Sequence, residues 1–477
     1  MSRLTRRLLC VGVAAATGFL PGTAGAETCQ LRLKRIDHVS SAAGRLLEYL
    51  LTSRTEQSFS NELGAERPDM EAEFRKVVKK QPNKYECKQP FRCVARLGDG
   101  RYAMVFDSTD IDKKGYNRLY LDLNGNGDLT DDGVVRAGSG GLGSMWHGST
   151  ATNFPMITMS IKAGGEEFQY RFDVSAVVYG SGDRRYVQAS LRTGVLREGE
   201  ITLDGKKRVI YALDRNSNGR FDDLYTVDRE TTSGDGRVWP TGGDMLLIDP
   251  DRATSEIRWY DPTVNERLTY VAKIVGLNGQ FYDLSISATG DKITLEPSKA
   301  PVGYIVNPNA SFRAMVYGDA GVLRVGGTKG SPTALPEGRW RLLSYTIDLT
   351  NTSQPAAEPG EKIERGGTLV SRLIWSAGGS GPKPTLVAAS ATKDCEPVTV
   401  KKGETVEMRF GPPYTPRVRV EEWARSKDRK ELTLALVGSA GEICNDLRVK
   451  GDRPEAPTFA IVAPDGEIIE RGKFDYG

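Results

Sequence analysis

Short runs of alternating apolar and polar residues, separated by Gly-containing turns, recur along most of this chain. Gly98-Asp99-Gly100 separates residues 94–97 from 102–106. Asp204-Gly205 separates 201–203 from 208–213, and Asn278-Gly279 separates 270–275 from 281–286. Side chains alternate across a strand with period two, and Asp-Gly or Asn-Gly supplies the left-handed backbone of tight hairpins. Many short strands joined this way build sandwiches or barrels. The expected fold class is therefore mainly β, in several sandwich-like or barrel-like modules, with little helix near the N-terminus. Glycine makes up 53 of 477 residues, which suits so many turns. Helical spacing is confined to two stretches. One is 42–52, with Leu46, Leu47, Leu50 and Leu51. The other is 69–80, where Glu71 and Glu73 suit the positive end of a helix, Lys79 and Lys80 suit the negative end, and Pro82 stops it. Met70, Phe74, Val77 and Val78 form its apolar face.

The first residues read as an export signal. Arg3, Arg6 and Arg7 precede an apolar run over 8–20, and Ala24-Gly25-Ala26 offers small residues for cleavage before Glu27. The run is too short to span a bilayer, which needs about 20 apolar residues. Arg6-Arg7 followed by Leu8-Leu9 also suits a twin-arginine route. Neither Cys10 nor Cys29 follows the small-residue pattern that lipid attachment needs. The expected location is the periplasm or the cell exterior, with no transmembrane segment after cleavage. Removing the three arginines leaves 62 basic residues against 62 acidic ones. That balance argues against nucleic acid as a partner. Composition shifts divide the rest into 27–90, 91–300, 301–380 and 385–477, the last two as small β-sandwich modules. The run 335–342, Leu-Pro-Glu-Gly-Arg-Trp-Arg-Leu, resembles the turn and strand of small Ig-like sandwich modules.

Five cysteines remain after residue 26: Cys29, Cys87, Cys93, Cys395 and Cys444. An oxidising compartment favours disulfides. Cys87 with Cys93, and Cys395 with Cys444, are the candidate pairs, with Cys29 the candidate left over; sequence alone does not fix the pairing. No Cys-x-x-Cys motif is present, which argues against a thiol redox or thiolate zinc site.

Two loops carry the chemistry. Loop one begins Asp122-Leu-Asn124-Gly-Asn126-Gly127-Asp128-Leu129 and continues to Asp131 and Asp132. Loop two begins Asp214-Arg-Asn216-Ser-Asn218-Gly219-Arg220-Phe221 and continues to Asp222 and Asp223. Oxygen side chains fall at positions one, three and five, Gly at six, and an apolar anchor at eight. Calcium is a hard cation taking six to eight oxygens, and alternate oxygen side chains on a tight loop can converge on it. The loops resemble the calcium loops of EF-hand and dockerin-type proteins. The acid those families carry at position twelve is replaced by Gly133 and Tyr225, and the flanks look like strands. By analogy, the closing carboxylate comes from Asp131 or Asp132, and from Asp222 or Asp223. The resemblance thus implies Ca2+ held by Asp122, Asn124, Asn126, Asp128 and Asp132, and by Asp214, Asn216, Asn218, Arg220, Asp222 and Asp223. Asp128 and Arg220, at position seven, would serve through their carbonyls. Loop one, with more acids, is expected to bind more tightly. More broadly, the chain looks like exported bacterial β-rich proteins whose function is not established.

Catalytic signatures are thin. Histidine occurs only at His38 and His147, the latter in a Gly-rich loop. Gly138-Ser-Gly140-Gly-Leu-Gly143 lacks the surrounding strand and helix of a dinucleotide site, and Ser390-Ala-Thr-Lys393 lacks companion motifs. The expected function is a calcium-stabilised exported protein with a binding or surface-structural role. Its partner would be an extracellular glycan or another exported protein. The alternative is a secreted hydrolase using paired carboxylates, with Trp239, Trp259, Tyr260 and Tyr282 lining a sugar groove.

Overall fold

The computed structural model describes residues 25–38, 57–60, 70–138, 149–180, 185–203, 205–249, 268–277, 279–309, 311–350, 385–422 and 430–475. The apolar run 8–20, the stretch 42–52, His147, Trp259 and Tyr260 lie outside them. The fold is mainly β, arranged in several separate sheets. Among the described residues, α-helix is limited to Met70–Val77 and the single turn Ile111–Lys114. None is long and apolar enough to cross a membrane.

A four-stranded antiparallel meander comprises Phe91–Leu97, Gly100–Asp107, Arg118–Leu121 and Val135–Arg136. It shares a core with a five-stranded sheet centred on Glu166–Tyr179. Cys93, Leu97, Met104 and Phe106 on the first sheet meet Tyr170, Phe172 and Leu191 on the second. A third sheet runs Leu268–Tyr270, Met245–Ile248, Lys206–Leu213, Val195–Leu203, Arg32–Arg35. A fourth runs Glu27–Gln30, Lys292–Pro297, Gln280–Ile286, Ile274–Leu277. Ile201, Ile210, Leu246, Ile293 and Leu295 pack between these two.

The sequence sets 27–90 apart, yet its strands are built into sheets of later residues. Cys29 pairs in register with Ile293, and Leu33 with Arg197. The boundary expected near 380–385 is also crossed, because Gly338–Asp348 pairs antiparallel with Leu386–Ser390 in one eight-stranded sheet. The expected hairpin over 270–286 is narrower: Leu268–Tyr270 pairs with Met245–Ile248 instead, and the hairpin strand starts at Ile274. The other two hairpins form as read, with left-handed Gly98 (φ 59°) and Gly205 (φ 71°) at their turns.

Neither expected disulfide is present; all five cysteines are free thiols. Cys93 points into the core of its strand and is wholly buried, whereas Cys87 lies half-buried outside the sheet with its amide on Asp107. Burial pushes the Cys87 thiol up to about 11. Of the candidate groove aromatics, Tyr282 is core, whereas Trp239 is exposed.

Candidate metal centre

Each loop leaves the C-terminal end of a strand, Arg118–Leu121 or Lys206–Leu213. Both fold the same way. Position four is left-handed, at Gly125 (φ 71°) and Ser217 (φ 55°), and so is position six, at Gly127 (φ 85°) and Gly219 (φ 75°). Glycine at six is demanded twice over. A Cβ on Gly127 would lie 2.8 Å from the Val77 carbonyl oxygen, and one on Gly219 would lie 2.4 Å from Ile161 Cδ1.

The hydrogen bonds repeat residue for residue. Asp122 Oδ1 accepts the Asn126 amide at 3.1 Å and Oδ2 the Gly127 amide at 2.9 Å. Asp214 accepts the Asn218 and Gly219 amides at 3.1 and 2.8 Å. The Oδ1 atoms of Asn124 and Asn126 accept the amides two residues on, as do those of Asn216 and Asn218. The Nδ2 groups of Asn124 and Asn126 both donate to Asp131 Oδ2, at 3.4 and 2.7 Å. Those of Asn216 and Asn218 donate to Asp223 Oδ2, at 2.9 and 2.5 Å. Position ten is therefore where each ring closes.

The neighbouring acids have other partners. Asp132 Oδ2 accepts the Leu123 amide at 3.0 Å. Asp128 accepts the amide and hydroxyl of Thr130 and ion-pairs with Lys80 at 2.9 Å. The Thr130 and Lys80 bonds hold its carboxyl down at about 2. Asp222 is engaged by the Arg220 guanidinium, which also reaches Asp99 at 2.8 Å. So the side chains of Asp128, Asp132 and Asp222 lie outside the convergent set, and Asp131 belongs in it.

Two participants carry no loop-like signal in the sequence. Asp244 accepts the Arg215 amide at 3.1 Å and the Asp223 amide at 3.0 Å. It thus does for position two of loop two what Asp132 does for Leu123. Tyr170 donates its hydroxyl to Asp214 Oδ2 at 2.6 Å. Burial drives the carboxyls of both Asp214 and Asp244 well above the ordinary range, and each is raised further by neighbouring carboxylates.

The surroundings differ. Asn124, Gly125, Asn126 and Asp131 of loop one are exposed, although Asp122 is fully buried. Loop one holds the end of the helix Met70–Val77: the amides of Lys79 and Lys80 donate to the Gly127 carbonyl, and the Leu129 amide to Lys80. Leu129 packs on Phe74. Loop two sits among several sheets. Its Asn218 carbonyl accepts the Gly98 amide at 2.6 Å, its Phe221 amide donates to Ala288, and Ser217 Oγ accepts the Thr193 amide. Phe221 is wholly buried beside Phe168, with the Arg197 guanidinium 5.7 Å from its ring.

A hard cation wants oxygens, whereas the asparagine amide nitrogens are what face Asp131 and Asp223 here. Each asparagine Oδ1 accepts one amide and keeps a lone pair, as does each oxygen of Asp122. The donor chemistry of two carboxylates, two amides and the position-seven carbonyl suits calcium. Among the described residues, no group of three carboxylate, imidazole or thiol side chains is placed to hold a metal ion, so a cation in either loop would have to draw on amide and backbone oxygens as well. No family model, curated protein or solved structure matches this chain.

Proposed function

We propose that this is an exported β-rich protein in which the two Asp-x-Asn-x-Asn-Gly loops hold calcium as a structural ion. Its role is then binding or surface structure rather than catalysis. One observation carries the reading: two loops whose starts lie 92 residues apart in the sequence repeat one set of left-handed positions and carboxylate-to-amide contacts. Their resemblance to EF-hand and dockerin-type loops supplies the choice of ion. The location of each loop supplies the purpose. Loop one ties a helix to a sheet, and loop two ties strands of several sheets together. A divalent ion at either point would neutralise acids that otherwise repel and would stiffen a junction. The partner is an extracellular glycan or another exported protein, in keeping with the export signal read in residues 1–26. Isothermal titration with calcium chloride tests the core of this. The wild-type chain should give binding heat, and the Asp122→Ala, Asp214→Ala double variant should give none. Unchanged heat in that variant refutes the assignment.

A further inference from the structure

We propose that Asn124 is a site of spontaneous covalent modification, its side chain closing onto the Gly125 amide and then hydrolysing to aspartate or isoaspartate. Three Asn-Gly bonds lie wholly among the described residues: Asn124-Gly125, Asn126-Gly127 and Asn218-Gly219. The fold exposes the first to this chemistry and shields the other two. That ranking follows from hydrogen bonding at the three bonds and does not depend on calcium.

The reaction consumes one water and releases one ammonia. The glycine amide loses its proton to hydroxide, and its nitrogen attacks the asparagine Cγ. The bond from Cγ to Nδ2 then breaks, ammonia leaves with a proton from water, and a five-membered succinimide remains. Water opens that ring at either carbonyl, giving aspartate or isoaspartate. No oxidant or reductant is needed. Glycine favours the attack because it has no Cβ to obstruct close approach.

The three asparagines are alike as electrophiles. Each Oδ1 accepts the amide two residues on, at 3.0 Å for Asn124, 2.6 Å for Asn126 and 2.8 Å for Asn218. The glycine amides are not alike. Those of Gly127 and Gly219 donate to the buried carboxylates of Asp122 and Asp214, at 2.9 and 2.8 Å. Removing such a proton breaks a charge-assisted bond and leaves an amide anion beside a carboxylate where water is excluded. Among the described residues the Gly125 amide has no acceptor, and Gly125 is exposed where Gly127 and Gly219 are buried. The leaving groups differ in the same direction. Asn126 and Asn218 hold their Nδ2 on the closing acids at 2.7 and 2.5 Å, whereas Asn124 reaches Asp131 only at 3.4 Å.

Either product adds a carboxylate beside Asp131. Isoaspartate also routes the main chain through Cβ, one atom longer, just before left-handed Gly125. That lengthening displaces the Gly127 carbonyl, which holds the Lys79 and Lys80 amides at the end of the helix Met70–Val77.

The test is incubation of the full chain at mildly alkaline pH, then proteolysis in acid and fragment-ion mass spectrometry. In the folded chain, Asn124 should gain the mass difference between amide and acid at least tenfold faster than Asn126 or Asn218. Tenfold is the factor that one hydrogen bond to a carboxylate commands. In urea the three rates should converge, because the contacts that separate them are gone. Equal or faster modification of Asn126 or Asn218 in the folded chain overturns the inference. So does a ranking that persists unchanged in urea, since local sequence would then set it. An Asn124 that stays intact when folded, while the unfolded chain is modified, overturns it as well.

Discussion

Leu129 is the pin between loop one and the helix Met70–Val77, so truncating it should free that helix selectively. The side chain is 1% exposed and packs with Phe74, Ala103 and Val105. The helix is eight residues long and buries Phe74 alone among its side chains. A helix that short has little stability of its own and depends on docking. Its ion pairs, Arg101 to Glu73 and Arg75 to Glu71, are at the surface and screened by water. Leu→Ala in a packed core costs about 2–5 kcal/mol. At the lower end, roughly 2 kcal/mol raises the undocked population about 30-fold, since each 1.4 kcal/mol is a factor of ten. Native-state hydrogen exchange read by mass spectrometry measures this directly. In Leu129→Ala, the amides of Val78, Lys79, Lys80 and residue 129, bonded to Phe74, Gly127 and Lys80, should exchange at least that much faster. Strands Phe91–Leu97 and Gly100–Asp107 should change far less. Calcium binding to the docked loop should restore protection, by about 2.7 kcal/mol at a free concentration 100 times the dissociation constant. Equal loss across helix and strands would refute the pin, and so would unchanged exchange in 78–80. The second result would mean that Arg92, stacked 5.9 Å from the Phe74 ring, holds the helix instead.

Two further predictions concern backbone and charge. Gly127→Ala and Gly219→Ala combine positive φ with a Cβ that meets Val77 O or Ile161, so each should cost more than Gly125→Ala, whose Cβ finds only a Tyr102 ring carbon at 3.4 Å. Strain at such positions is of order 1–3 kcal/mol, and equal melting temperatures for all three variants would sink the argument. Glu198 is pushed up by burial, but hydrogen bonds from Lys34 (2.6 Å) and Arg32 (2.8 Å) outweigh this and leave it below its ordinary value. A depressed carboxyl stabilises the fold above its unfolded pKa, and the contribution fades as pH falls through the folded value. The melting-temperature gap between wild type and Glu198→Gln should therefore be full at pH 7 and shrink once pH drops below the usual glutamate range, about 4.3. A gap that stays constant down to pH 3 contradicts the linkage.

What could be read from the sequence was local, and what could not was set by distance along the chain. Positions one, three, five and six of each loop are legible because a single tight turn dictates them. The closing position is not, since Asp131-Asp132 and Asp222-Asp223 each offer two acids, and their choice depends on where the chain turns next. Asp131 faces the asparagines while Asp132 returns to Leu123, and Asp223 does so while Asp222 turns to Arg220. Asp244 reaches loop two only because Met245–Ile248 pairs with Lys206–Leu213, a register that no spacing rule supplies. One trace was present. An acid directly before Met-Leu-Leu-Ile, four residues that are all buried, is an awkward place for a charge unless something polar receives it. Tyr170 hid differently, reading as a core aromatic between Phe168 and Phe172, which its ring is, while its hydroxyl serves Asp214. The disulfide expectation rested on compartment, and compartment does not orient side chains. Strand alternation turns Cys93 wholly into the core, where Cys87 packs half-buried at its margin, and both remain thiols.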